Sequence, residues 1–345
     1  MASAKEDVDL ESLAEEIRNF EGVKRKGAIS DLVKRLGASD KVGNRTIAGF
    51  GEDAAVLKID DDNDTYILLA MDGIWGKLLS VDPWWAGYCA VLVNVNDIAA
   101  MGGTPLAMVN LTSTRRKDVC LELGRGMEDG VNKFGVPMVG GHLHPDTVYD
   151  ALDVAIIGTV KRDSVIYSSG AKPGDKVIVA IDLDGRVSPS YNLAWDTTTR
   201  KSTAEVRKRL ETMVKIGEKQ LVTAGKDISN PGTVGTLGML LESSSVGAVI
   251  EPAQIPRPNM KDLSFAQWLK MYPGTGFVLT VKSEAEGAEC IRIFRDVGIA
   301  ASIIGEVDSS KKLRITSGKE TATVFDFKKE KITGIVPSIM PCTMP

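Results

Sequence analysis

Histidine is scarce in this sequence, two in 345 residues, and the four cysteines (Cys89, Cys120, Cys290, Cys342) are scattered with no Cys-x-x-Cys pair. That spacing argues against a disulfide frame or a zinc knuckle and for free thiols in a reducing compartment. Basic charge is not in excess either: the formal net charge is −4, which offers no field for a nucleic-acid backbone. The N-terminus is acidic where an export signal needs an apolar run, and the longest apolar stretch is broken by Asn94, Asn96 and Asp97. Neither export nor a membrane span is expected, so the protein reads as cytoplasmic. A Gly-x-x-x-x-Gly-Lys-Ser/Thr loop and a Gly-x-Ser-x-Gly elbow are missing, and the spacing of Gly232, Gly235 and Gly238 is not the dinucleotide fingerprint. Any phosphate must be bound in another way.

What is present is ordinary globular material, 43% hydrophobic and 26% charged, long enough for two domains. Its chemistry concentrates between Gly51 and Pro105. Gly51-Glu52-Asp53-Ala54-Ala55 precedes an apolar run of strand length that ends at Asp72. Trp84 to Met101 is almost wholly apolar and stops at Gly102-Gly103, which predicts a buried helix with a glycine C-cap. Asp97 lies inside that helix with Asn94 one turn earlier on the same face. A buried carboxylate is costly unless something positive meets it, and no Lys or Arg lies between Lys77 and Arg115. Asp53, Asp72 and Asp97 therefore suggest a hard divalent cation, with Mg²⁺ shared between carboxylates and phosphates as the usual case.

Along the chain, apolar spacing predicts an amphipathic helix over residues 8–20 and a short one from Ser30 to Leu36. Lys24, Arg25 and Lys26 between them read as a solvated turn or a phosphate contact. Ala38 to Gly51 reads as a flexible lead-in. Strands are expected at Ala54–Leu57 and Tyr66–Met71, around the acidic stretch Asp60–Asp64. That stretch lacks the glycine and terminal Glu of a calcium loop and reads as a hairpin turn. Strand, helix, strand, strand follow at Leu106–Thr112, Val119–Phe134, Val136–Gly140 and Leu152–Val160, an α+β layer with helices on one face. Ser168–Asp175 is turn chemistry and marks a domain boundary. Beyond it come a strand at Lys176–Ile181, a helix capped by Ser202 and Glu205, and a glycine-rich helix at Thr233–Ser244. Strands at Ala248–Ile250, Gly276–Val281 and Ala300–Val307, with a helix at Glu284–Val297, complete the expected elements.

Two further groups carry alternatives. Asp227 and Ser229, just ahead of the glycine-rich helix, suit an N-cap or a phosphate cradle. His142 and His144 would share one face of an extended segment, either as ligands of a transition metal with Asp146 or as ordinary hydrogen-bonding side chains.

At Gly51–Ala55, Met71-Asp72, Val93–Gly103 and Gly140-Gly141 the chain resembles the PurM-like superfamily, which includes AIR synthetase, thiamine-monophosphate kinase, selenophosphate synthetase and HypE. The likeness continues through Ser169–Asp175, Lys226–Ser229, Ser245–Ala248, Ile255-Pro256 and Ile304–Val307, and the chain looks most like archaeal AIR-synthase-related proteins known as methanogenesis marker protein 2. It implies a helical extension over 1–45, an N-terminal α/β domain over 46–165, a C-terminal α+β domain over 170–337 and a tail over 338–345. It also implies a homodimer, in which strands of two N-terminal domains close a β-barrel with ATP in a groove beside it. Carried over by position, Asp53, Asp72, Asp97 and Asp227 would hold Mg²⁺. Asn94, Ser229 and the Gly140–His142 turn would serve the nucleotide, and His142 is the candidate general base.

The departures matter. Gly140-Gly141 is followed by His142 where thiamine-phosphate kinases have Asp, and Asn230 replaces another Asp. Ser168 stands where a nucleotide-contacting Arg is expected, and Pro273–Phe277 replaces a Gly-Glu-Asp-Tyr segment, so thiamine phosphate is not the expected substrate. The expectation is an ATP- and Mg²⁺-dependent phosphotransferase or synthetase acting on a small molecule. The rivals are a non-catalytic nucleotide-binding assembly factor or sensor, and a metal-dependent hydrolase built on the two histidines.

Overall fold

The computed structural model describes residues 9–37, 44–60, 64–335 and 337. The tail beyond 337, residues 38–43 of the lead-in and residues 61–63 of the acidic turn lie outside the described residues.

Alternating burial builds the first sheet. In β3 (Thr65–Gly73), Tyr66, Leu68 and Ala70 point to the core while Leu69 and Met71 point out. With β1 (Thr46–Ala48), β2 (Ala55–Lys58), β4 (Thr104–Ser113), β5 (Met138–His144) and β6 (Ala151–Lys161) it forms a sheet of order β1-β2-β3-β6-β4-β5. β1 falls inside the expected lead-in, where only three residues pair. All neighbours are antiparallel except β4 and β5, whose parallel pairing needs the crossover α6 (Lys117–Phe134). The sheet is open, with β1 and β5 as its edges, and no closed barrel forms among the described residues. Leu69, Met71, Val109 and Ile157 leave its outer face apolar, each 40% to 61% exposed.

The helix α5 (Pro83–Ala100) packs on the inner face, and α4 (Gly76–Val81) and α6 pack against α5. Asp82 caps α5 by accepting from the Trp85 N–H at 2.9 Å, and Gly102 (φ +75°) ends it as expected. Fifteen of its eighteen residues are buried, because the sheet, α6 and the second domain enclose it on all sides. A methyl group at Gly126 of α6 would lie 1.9 Å from the Trp84 carbonyl oxygen, so glycine permits the close crossing of α5 and α6.

The second domain is a seven-stranded sheet of order β10-β13-β7-β14-β11-β15-β16. Its strands are β7 (Lys176–Ile181), β10 (Ala224–Asp227), β11 (Gly247–Ile250), β13 (Gly276–Val281), β14 (Ala300–Asp308), β15 (Lys312–Ser317) and β16 (Glu320–Asp326). β8 (Arg186–Val187), β9 (Ala194–Asp196) and β12 (Tyr272–Pro273) make a small third sheet. Ile178, Ala180, Phe277 and Leu279 face one way into a core shared with α5, α7 (Thr203–Glu218) and α10 (Glu284–Arg295). Val177, Val179, Ile181 and Val278 face the other way, towards α8 (Gly232–Ser244) and α9 (Phe265–Lys270). α1 (Leu10–Asn19) buries Leu10, Leu13, Ala14 and Ile17 in that second core, and α2 (Glu21–Lys24) and α3 (Ser30–Leu36) follow it. α7 carries the expected capping box, with both reciprocal bonds between Ser202 and Glu205 present.

Candidate metal centre

Three elements from different parts of the chain deliver carboxylates to one point at the seam of the domains. Asp53 comes from the loop before β2, Asp97 from α5 and Asp227 from the end of β10. One oxygen from each lies within 4.8 Å of the others. Among the described residues no hydrogen bond or ion pair reaches the Asp97 carboxylate, although the residue is only 8% exposed. Burial pushes its carboxyl well above the usual range, and Asp72, Asp227 and Asp53 push it further. Burial and the Asp53 charge likewise raise Asp227, to about 8. Asp72 stands at the solvent-facing end of β3. Crowding by the surrounding protein raises its carboxyl, and the positive charges of Lys26 and Lys226 act against that while Asp53 adds to it.

One cation is built in. The Lys226 ammonium is ion-paired with Asp53, and both side chains are almost fully buried. Burial by itself would push that ammonium down, yet Asp53, Glu52 and Asp227 hold it above the usual lysine range. The Asp227 N–H also donates to Asp53 at 3.3 Å. The scarcity of nearby basic residues around Asp97 in the chain therefore does not extend to space: Lys226 and Lys26 both act on the cluster. One buried ammonium still faces four aspartates, so the site retains a deficit of positive charge.

Around this point the other expected residues separate. Asn94 lies buried on α5; its Nδ2 donates to Ala90 O at 2.8 Å and its Oδ1 has no partner among the described residues. Asn96 donates to the Gly274 carbonyl at 3.1 Å and also leaves a buried Oδ1 unpaired. Neither Asp227 nor Ser229 caps α8, whose first turn has no side-chain cap; the Ser229 N–H donates to Thr236 Oγ1 at 3.4 Å. Gly140, Gly141 and His142 lie within the edge strand β5, not in a turn, because β5 extends to His144 in parallel register with β4. One row of the sheet runs Asp72–Val154–Asn110–Gly141, which sets Gly141 three strands, roughly 14 Å, from Asp72. His142, one residue on, projects to the opposite, outer face with His144, their rings 4.6 Å apart. Asp146 does not complete a three-ligand group with them among the described residues.

Ser168 explains itself in the structure. It is fully buried, and Glu52 accepts from its N–H at 2.6 Å and its hydroxyl at 2.8 Å, tying the N-terminal loop to the start of the second domain. There is no room at that position for an arginine reaching a nucleotide. Sequence reading missed Lys226 and Glu52 as site residues, whereas Lys26 belongs to the basic cluster that reads as a solvated turn or a phosphate contact. The adjacency of Lys226 to Asp227 was the one available signal, since the Lys226–Asp53 pair spans 173 residues.

Two α+β domains meeting at an acidic seam define a class of protein, and comparison identifies it. Residues 51–160 match the N-terminal domain of the AIR synthase related proteins and residues 172–318 match their C-terminal domain. The chain belongs to that family. It is 53% identical over 328 residues to uncharacterized protein MJ0640 of Methanocaldococcus jannaschii, covering 95% of this chain and 100% of that one. It is 34% identical over 326 residues to uncharacterized protein sll0787 of Synechocystis sp., covering 94% and 98%. In fold it is similar to phosphoribosylformylglycinamidine synthase II of Thermotoga maritima, with a TM-score of 0.74 at 17% identity. That match covers 98% of this chain and 55% of the synthase, so the chain spans about half the length of that structure. No described helix is long and apolar enough to cross a membrane.

Proposed function

We propose that this protein is an ATP- and Mg²⁺-dependent phosphotransferase or ATP-driven synthetase acting on a small molecule. The observation that carries the reading is the convergence of Asp53, Asp97 and Asp227 within 4.8 Å. The donor set fits a hard cation: three carboxylates, two of them raised by burial and mutual repulsion, with the unpaired Asn94 oxygen one helical turn from Asp97. The related synthase has been solved with ADP and with ATP, which supports a nucleotide as the phosphate source. Asp53, Asp97 and Asp227 would hold Mg²⁺, which would supply positive charge to offset that of a phosphoryl group in transfer. Lys226 orients Asp53 and adds a fixed positive charge, and Lys26 extends that field towards Asp72 and Asp227.

Calorimetric titration of ATP with and without Mg²⁺ tests the reading. Metal-dependent binding that Asp97→Asn abolishes is expected; equal binding by that variant overturns it. One observation favours the rival, a nucleotide-binding assembly factor without turnover: Lys226 already engages Asp53. ATP binding with no ADP release across a metabolite panel would select that rival.

The exposed apolar face around Leu69, Met71, Val109 and Ile157 supports a second copy of this chain as the partner, completing the sheet as a barrel across a homodimer.

A further inference from the structure

Beside the aspartates lies a recess that the family match covers only in part, because the wall from Phe20 to Arg25 precedes residue 51. Phe20 and Arg25 close it from the N-terminal segment, Trp75 from the first domain, and Tyr191, Tyr272 and Asn230 from the second. Gly22 makes the closure tight: a methyl group there would sit 2.1 Å from the Asn230 carbonyl oxygen. The rings brace one another, Trp75 edge-on to Tyr191 at 5.7 Å and Tyr191 against Tyr272 at 5.8 Å. The Arg25 guanidinium lies 4.7 Å from the Trp75 ring centroid. Glu21 also lines the recess, but it is paired with Lys77 at 3.4 Å. Arg25 is exposed and has no carboxylate partner among the described residues, and Lys77 lies over the same Trp75 ring at 4.6 Å, so two cations at the mouth of the recess face the single carboxylate of Glu21.

Resting on the reading above as an ATP-using enzyme, we propose that this recess binds a carboxylate of the acceptor, with Arg25 as its counter-ion. The cavity is about 50 Å³. A buried water needs about 10 to 15 Å³ of such space, so the recess has room for a small polar group such as a carboxylate. A guanidinium matches a carboxylate with two parallel hydrogen bonds, and the Trp75 ring covers one side of it. Asn230 is three residues beyond Asp227, which places the recess within about 10 Å of the metal-binding carboxylates by chain length. The acceptor is thus a short molecule with a carboxylate at one end and the phosphate-accepting oxygen at the other.

The test uses the full chain and acid–amide pairs: glycolate, 3-hydroxypropionate and 4-hydroxybutyrate, each against its amide, titrated with Mg²⁺ and a non-hydrolysable ATP analogue present. Binding is read by tryptophan fluorescence, with Trp75→Phe as the control that locates the signal. At least one acid is expected to bind about tenfold or more tightly than its amide. That preference should vanish in Arg25→Ala and return in part in Arg25→Lys, while the affinity for the magnesium nucleotide stays unchanged. Equal binding of every acid and amide, no saturable binding of any acid, or a preference untouched by Arg25→Ala overturns the proposal. A carboxylate preference in a protein that binds no nucleotide would instead sink the ATP reading and leave the recess assignment standing.

Discussion

Lys226 and Asp53, distant in the chain, form a buried ion pair at the seam of the two domains. The pair is a strut and a partial counter-charge at once, since Asp53 also belongs to the three-carboxylate group. Breaking such a pair from one side leaves an uncompensated buried charge, which typically costs about 3 to 5 kcal/mol. Lys226→Met should therefore destabilise the metal-free protein by about that amount and enlarge the stabilisation given by added Mg²⁺. Denaturant unfolding with and without the ion measures both effects.

Asp97→Asn should act in two opposite directions. It removes a metal ligand, so Mg²⁺-dependent nucleotide binding is lost. It also removes a carboxylate whose ionisation is opposed by burial and by Asp72, Asp227 and Asp53. The metal-free protein should become more stable at neutral pH, because the amide carries no charge to desolvate. Chelator-treated samples of both proteins, unfolded side by side, decide this.

The pH dependence has a definite sign. Asp227 is raised to about 8 in the folded protein, against about 4 for a carboxylate in an unfolded chain. Between those values the folded state holds more protons than the unfolded one, so stability falls as pH rises and levels off above about 8. Metal-free protein should lose thermal stability from about pH 5 to pH 8, and saturating Mg²⁺ should flatten that slope.

Ser168→Arg tests whether this position was ever open to a nucleotide. The Ser168 side chain is buried against Glu52 and Gly51. Overpacking there should cost about 1 to 3 kcal/mol, with no gain in nucleotide affinity, by chemical unfolding and calorimetry respectively.

Met71 is 61% exposed on the outer sheet face. On the homodimer reading proposed above, the unaltered protein should sediment as a dimer and Met71→Asp as a monomer, with the fold of the single chain intact by circular dichroism.

Long apolar segments were legible because their pattern carries its own answer. The helix from Trp84 to Met101 and its glycine stop, the strand before Asp72 and the Ser202–Glu205 box all follow from local periodicity and capping. Short pairings were not: β8, β9 and β12 are two or three residues each and exist only because other chain segments satisfy them. The same holds for β1, which lies in a stretch without apolar periodicity. His142 and Gly141 are neighbours in the chain, yet the pleat of β5 sends them to opposite faces.

The sequence by itself determined which residues need a cation: aspartates on buried or terminal positions carry a desolvation cost wherever the chain places them. Only the tertiary structure decided that Asp53, Asp97 and Asp227 share that need at one point, that Lys226 meets part of it, and that Arg25 and Lys77 gather over Trp75 beside an aromatic recess. Burial is written in local composition, whereas charge partnership acts through space between residues that the chain keeps far apart.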